Sequence, residues 1–177
     1  YDSGAGGLYS TAADYLRFAR MLAEGGKREG VRLLREDTVA MMMSDQLAGF
    51  DPPVPAPEPG EGFGLGGYVV TDTAKSARPG SPGQFGWSGA ASTYFTIDRS
   101  RGLVILLLSQ HLPTEGAAPL PKLATPFYRA ANPICQKSAS SRDAWAKIAT
   151  SSVKRCSVML RAASSSRCLR AAAATPW

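Results

Sequence analysis

Histidine is almost missing from this 177-residue chain: His111 is the only one, so any chemistry that needs an imidazole rests on a single side chain. Cysteine is scarce as well. Cys135, Cys156 and Cys168 are odd in number and show no C-x-x-C spacing, which points to neither a zinc site nor a disulfide framework, and no cofactor or metal is expected. Long apolar runs are lacking. The longest, Leu103–Leu108, falls far short of the roughly 18 residues a membrane-spanning helix needs, so no transmembrane segment is expected. The sequence starts at Tyr1 without an initiator Met or a basic-then-apolar stretch, so localisation is not readable from it directly.

Acidic residues are nearly absent from one end. Residues 129–177 carry 1 acid against 9 Lys or Arg, whereas residues 1–128 carry 13 acids against 11. The formal charge of +6 is therefore a −2 body joined to a +8 tail. Such a tail attracts polyanions by charge alone. Its only aromatics, however, are Trp145 and the terminal Trp177, and it has no recognisable reading helix, so nucleic acid is not expected as a partner.

What the chain does contain suits one core of ordinary hydrophobicity, 44%. A glycine-rich lead-in is followed by Ser10 and Thr11 as N-cap candidates, then by polar Asp14, Arg17, Arg20 and Glu24 opposite Tyr15, Phe18, Ala19 and Leu22. That spacing predicts a helix over residues 11–24, ended by Gly25 and Gly26. A second, over residues 36–44, opens on Glu36 and Asp37, and its Met41 to Met43 are read as core filling. Residues 51–60 hold five prolines and must be a loop; Pro52 and Pro55 fit a PxxP spacing, but a surface loop between elements is the favoured reading. Strands are expected at 64–71, 84–90, 92–98 and 103–109, an antiparallel meander with helices covering it. The fold class is thus α+β, an antiparallel sheet flanked by helices. The short Ser, Ala, Arg and Cys runs of residues 129–177 read as a basic tail of low order, native or foreign.

Four motifs invite chemistry. Gly62, Gly64 and Gly67 satisfy GxGxxG, but a strand rather than a helix follows, which removes the dipole that would meet a pyrophosphate. Ser88 in Gly-Trp-Ser-Gly-Ala, with Asp98 and His111 later, imitates a hydrolase elbow and triad, yet the parallel sheet and crossover helices of that fold are missing. His111 reads as a strand-end loop residue. Ser151 and Lys154 match Ser-x-x-Lys, in which the lysine can take the serine's proton, but the match lies in the disorganised tail and is set aside.

Residues 4–26, GAGGLYSTAADYLRFARMLAEGG, and residues 84–110, QFGWSGAASTYFTIDRSRGLVILLLSQ, together with the strand at Gly62 to Gly67, resemble class C β-lactamases and their esterase and D-peptidase relatives, the penicillin-binding-protein-like serine hydrolases. The resemblance covers residues 1–112, extending towards 128. It implies the C-terminal portion of the β-lactamase/transpeptidase-like fold, with residues 1–128 a partial domain. The family carries Ser-x-x-Lys early, then Tyr-x-Asn, then Lys-Thr-Gly on a sheet edge late in the chain. Trp87-Ser88-Gly89 stands at that third position.

By that resemblance Ser88 would hydrogen-bond substrate, Gly89 would allow its close approach, and Ala90 would offer a backbone N–H to the oxyanion. Trp87 replaces the lysine that helps hold a substrate carboxylate, which favours uncharged esters over β-lactams or terminal D-alanine. Residues 1–128 contain neither Ser-x-x-Lys nor Tyr-x-Asn, so the expectation is a fragment, inactive by itself, of a hydrolase that forms an acyl-serine. Its partners would be small-molecule esters, amides or β-lactams. The resemblance suggests a periplasmic or secreted parent, and a cytoplasmic one stays open, as does oligomeric state. The other reading is a non-catalytic ligand- or cell-wall-binding module in which Trp87 stacks on its ligand.

Overall fold

A computed structural model describes residues 6–89 and 93–108, together with the backbone of two later strands, residues 157–162 and 170–172. Helix α1, Ala12–Ala23, begins where Thr11 stops it from beginning sooner. The Thr11 hydroxyl accepts the Asp14 N–H at 3.2 Å and donates to the Asp14 carboxylate at 2.8 Å, so one side chain satisfies an orphan donor and orients an acid at the positive helix end. The other end is a Schellman closure. Gly26 N–H reaches Met21 O and Gly25 N–H reaches Leu22 O, and both glycines hold positive φ.

Strands β1, Lys27–Arg28, and β2, Val31–Arg32, form a small hairpin. Glu29 and Gly30 at its tip both have positive φ, as a type I′ turn demands. Helix α2, Glu36–Met42, is two residues shorter than the expected span. Met43 is buried, Met42 packs against the core, and Met41 is half-exposed, so the methionine run fills space on one side only.

The main sheet holds β3, Glu61–Phe63, β4, Tyr68–Val70, β5, Phe85–Ser88, β6, Tyr94–Asp98, β7, Leu103–Leu108, β8, Ser157–Ala162, and β9, Arg170–Ala172. They lie side by side in sequence order, each antiparallel to the next. The chain is therefore α+β with an antiparallel meander. Two details differ from expectation. Residues 64–67 are a turn joining β3 to β4 instead of the start of a strand, because Gly64 N–H closes on Gly67 O at 2.8 Å and Gly66 takes a φ of 93°. Two strands also lie in the basic tail, where no regular element is expected; β8 pairs with β7 from Leu103↔Ala162 to Leu108↔Ser157.

Register assigns the faces, since directly paired residues share one. Val69, Phe85, Phe95, Ile97, Val104 and Leu106 gather with Ala19, Met21, Leu22, Val39 and Met43 into one apolar cluster beneath the helices. Tyr15 bridges the layers, edge-on to Phe95 at 5.3 Å and to Phe18 at 5.7 Å, which is why Phe18 stays partly exposed while Met21 takes its place inside. The opposite face carries Tyr68, Gln84, Tyr94 and Thr96 beside apolar Val70, Ile105 and Leu107, all buried.

Candidate functional site

The strand that bears Trp87 and Ser88 begins between two others and ends with one neighbour. On one side β5 pairs with β6 along its whole length, Phe85↔Ile97 to Ser88↔Tyr94; on the other the ladder to β4 stops at Tyr68↔Gly86. Gly86 does not belong to the open margin: it is flanked on both sides and buried, and a Cβ there would lie 2.2 Å from Phe95 O and 2.7 Å from the Tyr68 hydroxyl. The open margin starts at Trp87.

Main-chain direction along β5 follows from its neighbours. Gln84 O accepts from Val70 N, towards β4, while Gly89 N donates to Thr93 O, towards β6. Alternation then turns the N–H and C=O of Ser88 to the β4 side, beyond the point where β4 ends. No strand among the described residues pairs with Ser88 there. Trp87 is 47% exposed and meets Phe63 edge-on, ring centroids 5.3 Å apart at 89°; Ser88 and Gly89 are half-buried beside it. A Cβ on Gly89 would fall 2.4 Å from Thr93 Oγ1, so the strand turns back tightly at this point. Ala90 lies outside the described residues, as do His111, Ser151 and Lys154.

Behind the margin stands a polar layer that residue patterns do not single out. The hydroxyls of Tyr68 and Tyr94 are 2.8 Å apart; Gln84 Nε2 donates to Thr96 Oγ1 at 2.8 Å and to the Tyr68 hydroxyl at 3.3 Å; Thr96 Oγ1 donates to Phe85 O. Arg78 lies 3.7 Å over the Tyr68 ring and pairs with buried Glu61 at 2.8 Å, which fastens the loop between β4 and β5 onto the sheet. Burial pushes the Tyr68 hydroxyl well above the usual tyrosine range, Tyr94 adds to this and Arg78 opposes it. It is therefore a neutral hydrogen-bonding group and cannot act as a general base at ordinary pH. Alternating polar residues on β4 to β6 were the available signal, masked by their aromatic and β-branched types.

Ser88, Asp98 and His111 do not form a triad within what is described. Ser88 sits on an antiparallel strand opposite Tyr94, and Asp98 lies four residues further along β6, about 13 Å away. The Asp98 carboxylate is engaged elsewhere, accepting the Ser100 hydroxyl at 2.7 Å and the Arg101 N–H at 3.1 Å to cap the 3-10 turn Arg99–Arg101. Gly62 and Gly64 are packing glycines: their Cβ positions are filled by the Asp45 carboxylate and by Met42 O. Among the described residues no helix is long and apolar enough to cross a membrane, and no cluster of potential metal ligands occurs.

Known proteins resemble this chain over half to two thirds of its length. Protein Rv1367c of Mycobacterium tuberculosis is 45% identical over 118 residues, 63% of this chain and 29% of that protein. Esterase EstB of Burkholderia gladioli is 32% identical over 109 residues, 62% of this chain and 26% of its own length. The chain thus spans under a third of the curated relatives it matches. Among solved structures, EstCE1, a hydrolase with promiscuous acyltransferase activity, covers 50% of this chain and 22% of its own at 27% identity and a TM-score of 0.39. A simvastatin synthase from Aspergillus terreus covers 59% and 29% at 23% identity and a TM-score of 0.45. The Beta-lactamase family model matches residues 1–125, which takes in both helices, the Trp87 margin and the meander to β7, and the chain belongs to that family.

Proposed function

We propose that this chain forms the substrate-binding margin of a serine hydrolase that cleaves uncharged esters or amides through an acyl-serine intermediate. The observation that carries the reading is the free side of β5 at Ser88, with an exposed indole next to it, in a chain of this family. An extended acyl group can take the Ser88 main-chain bonds as an added strand would, and the N–H of Ala90 supplies half of an oxyanion hole. Trp87 where the family has lysine, and the esterase among the relatives, both favour esters over β-lactams.

The nucleophile belongs to sequence outside these 177 residues, because the one Ser-x-x-Lys match here is Ser151 to Lys154 in the basic extension. Residues 1–128 are accordingly read as a partial domain and residues 129–177 as an appended basic segment. The 177-residue chain should be inert, while the protein with its upstream sequence should hydrolyse p-nitrophenyl butyrate faster than nitrocefin. Failure of a fluorophosphonate probe to acylate a serine in that longer protein would end the proposal. The exposure of Trp87 also suits a non-catalytic binding module, which wins if the upstream residues lack both Ser-x-x-Lys and a tyrosine base.

A further inference from the structure

Trp87 does not stand alone at the margin. Phe63 comes to it from β3, and both strands hold their aromatic residue firmly. The Phe63 N–H donates to Asp45 Oδ1 at 3.1 Å, and its carbonyl accepts the Gln46 N–H at 2.8 Å, so the outer side of β3 is occupied by the loop that follows α2. Asp45 Oδ1 takes the Leu47 N–H as well, at 3.0 Å, which fixes that loop in an Asx turn. Gly62 leaves no slack, since a Cβ there would lie 2.2 Å from Asp45 Cγ. Trp87 is held across the sheet by its pairing with Phe95. Two rings anchored in this way, at 89° to each other, have one preferred contact, edge to face. The result is an indole that is half in solvent yet has its orientation set.

We propose that Phe63 is a specificity-determining residue of this margin: it fixes the Trp87 indole as an apolar wall that selects acyl groups that are uncharged and apolar over acyl groups that end in a carboxylate. The inference rests on reading Trp87 to Gly89 as the substrate margin. Apolar contact with the wall gains from leaving water, whereas a carboxylate loses hydration against it and faces a scaffold whose fastening group, Asp45, is itself an acid.

The test reads binding, which needs no nucleophile. With Trp145→Phe and Trp177→Phe, Trp87 is the sole tryptophan of the 177-residue chain, and its fluorescence reports titration with ethyl butyrate or with monoethyl succinate at pH 7. Ethyl butyrate should bind on the order of tenfold more tightly than the succinate monoester. Phe63→Ala should weaken ethyl butyrate about five- to tenfold and the succinate much less, and Phe63→Tyr should restore the preference. Phe63→Leu, which keeps the packing volume but not the ring edge, replaces the alanine variant if circular dichroism shows that variant unfolded. Absence of saturable binding, equal affinity for the two esters, or unchanged selectivity in a folded Phe63 variant overturns the inference. Its failure leaves fluorophosphonate labelling of the longer protein unaffected, and failure of that labelling leaves these affinities as they stand.

Discussion

The two faces of the main sheet are both buried, but they are held by different physics. The helix-covered face is a set of Val, Ile, Leu, Met and Phe side chains whose contribution scales with area removed from water. The opposite face sets Tyr68, Gln84, Tyr94 and Thr96, whose polar atoms must find partners in fixed directions, among apolar Val70, Ile105 and Leu107. An apolar layer tolerates small shifts of its strands, whereas a hydrogen-bonded layer resists them. The open end of β5 lies where the bonded layer stops, so the margin at Ser88 inherits its position from Tyr94 opposite and Gly86 before it.

The largest effect that should separate the faces is a truncation beneath the helices. Phe95→Ala removes a ring that meets both Tyr15 and Phe85, and should cost about 3 to 5 kcal/mol, read as a lowered urea midpoint with unchanged slope. A loss below about 1 kcal/mol would mean that the helices do not rest on this face. On the polar face Gln84→Ala should cost less, about 1 to 3 kcal/mol, because Gln84 Oε1 is already without a partner and only the Nε2 bonds to Thr96 and the tyrosines are lost. Were Gln84→Ala to cost as much as Phe95→Ala, the distinction between an area-held and a bond-held face would fail.

How far each face was legible follows from the same distinction. The helix-covered layer was readable because periodicity 3.6 in α1 marks its inner stripe, turn residues bound the strands, and caps such as Thr11 and Gly25 act within a few residues of themselves. The α+β meander was legible for that reason, whereas attention to Trp87 and Ser88 came from the family resemblance. The Tyr68, Gln84, Tyr94 and Thr96 layer was not, because its members lie up to 28 positions apart and each passes for an ordinary strand residue. The same holds for Phe63 beside Trp87, and for Arg78 reaching back 17 residues to Glu61. The turn at 64–67 was read as strand because four residues of GLGG carry both the close-approach and the reversal meaning of glycine. In β8, apolar Val158, Met159 and Leu160 were outweighed by the bias of the residues around them.

Smaller effects should appear at the helix starts, which touch the apolar face only through the helices they begin. Thr11→Ala should cost about 1 kcal/mol, as one donor of α1 loses its acceptor and Asp14 keeps only its Arg17 partner. The polar face should register nothing, so the ring NMR signals of Tyr68 and Tyr94 should stay as they are. Tyr68 or Tyr94 signals that move with Thr11→Ala would show the two faces to be coupled.

The smallest effect lies at the start of α2 and depends on pH. Asp37 is exposed, and its carboxyl is held below the usual aspartate range, first by its hydrogen bond with the Arg35 guanidinium and then by the Thr38 N–H. A carboxyl whose folded pKa is depressed adds stability above its unfolded pKa and loses it as pH falls through the folded value. The increment is therefore present at neutral pH and should fade in acid, below the ordinary aspartate range. Because the pair is open to water, salt screens it. Asp37→Asn should lower the urea midpoint slightly at pH 7 and leave it unchanged near pH 2, and the pH 7 difference should shrink in about 1 M salt. An equal difference at both pH values would place the cause in helix propensity or packing at α2, and would remove the charge from the account of how that helix is held on the apolar face.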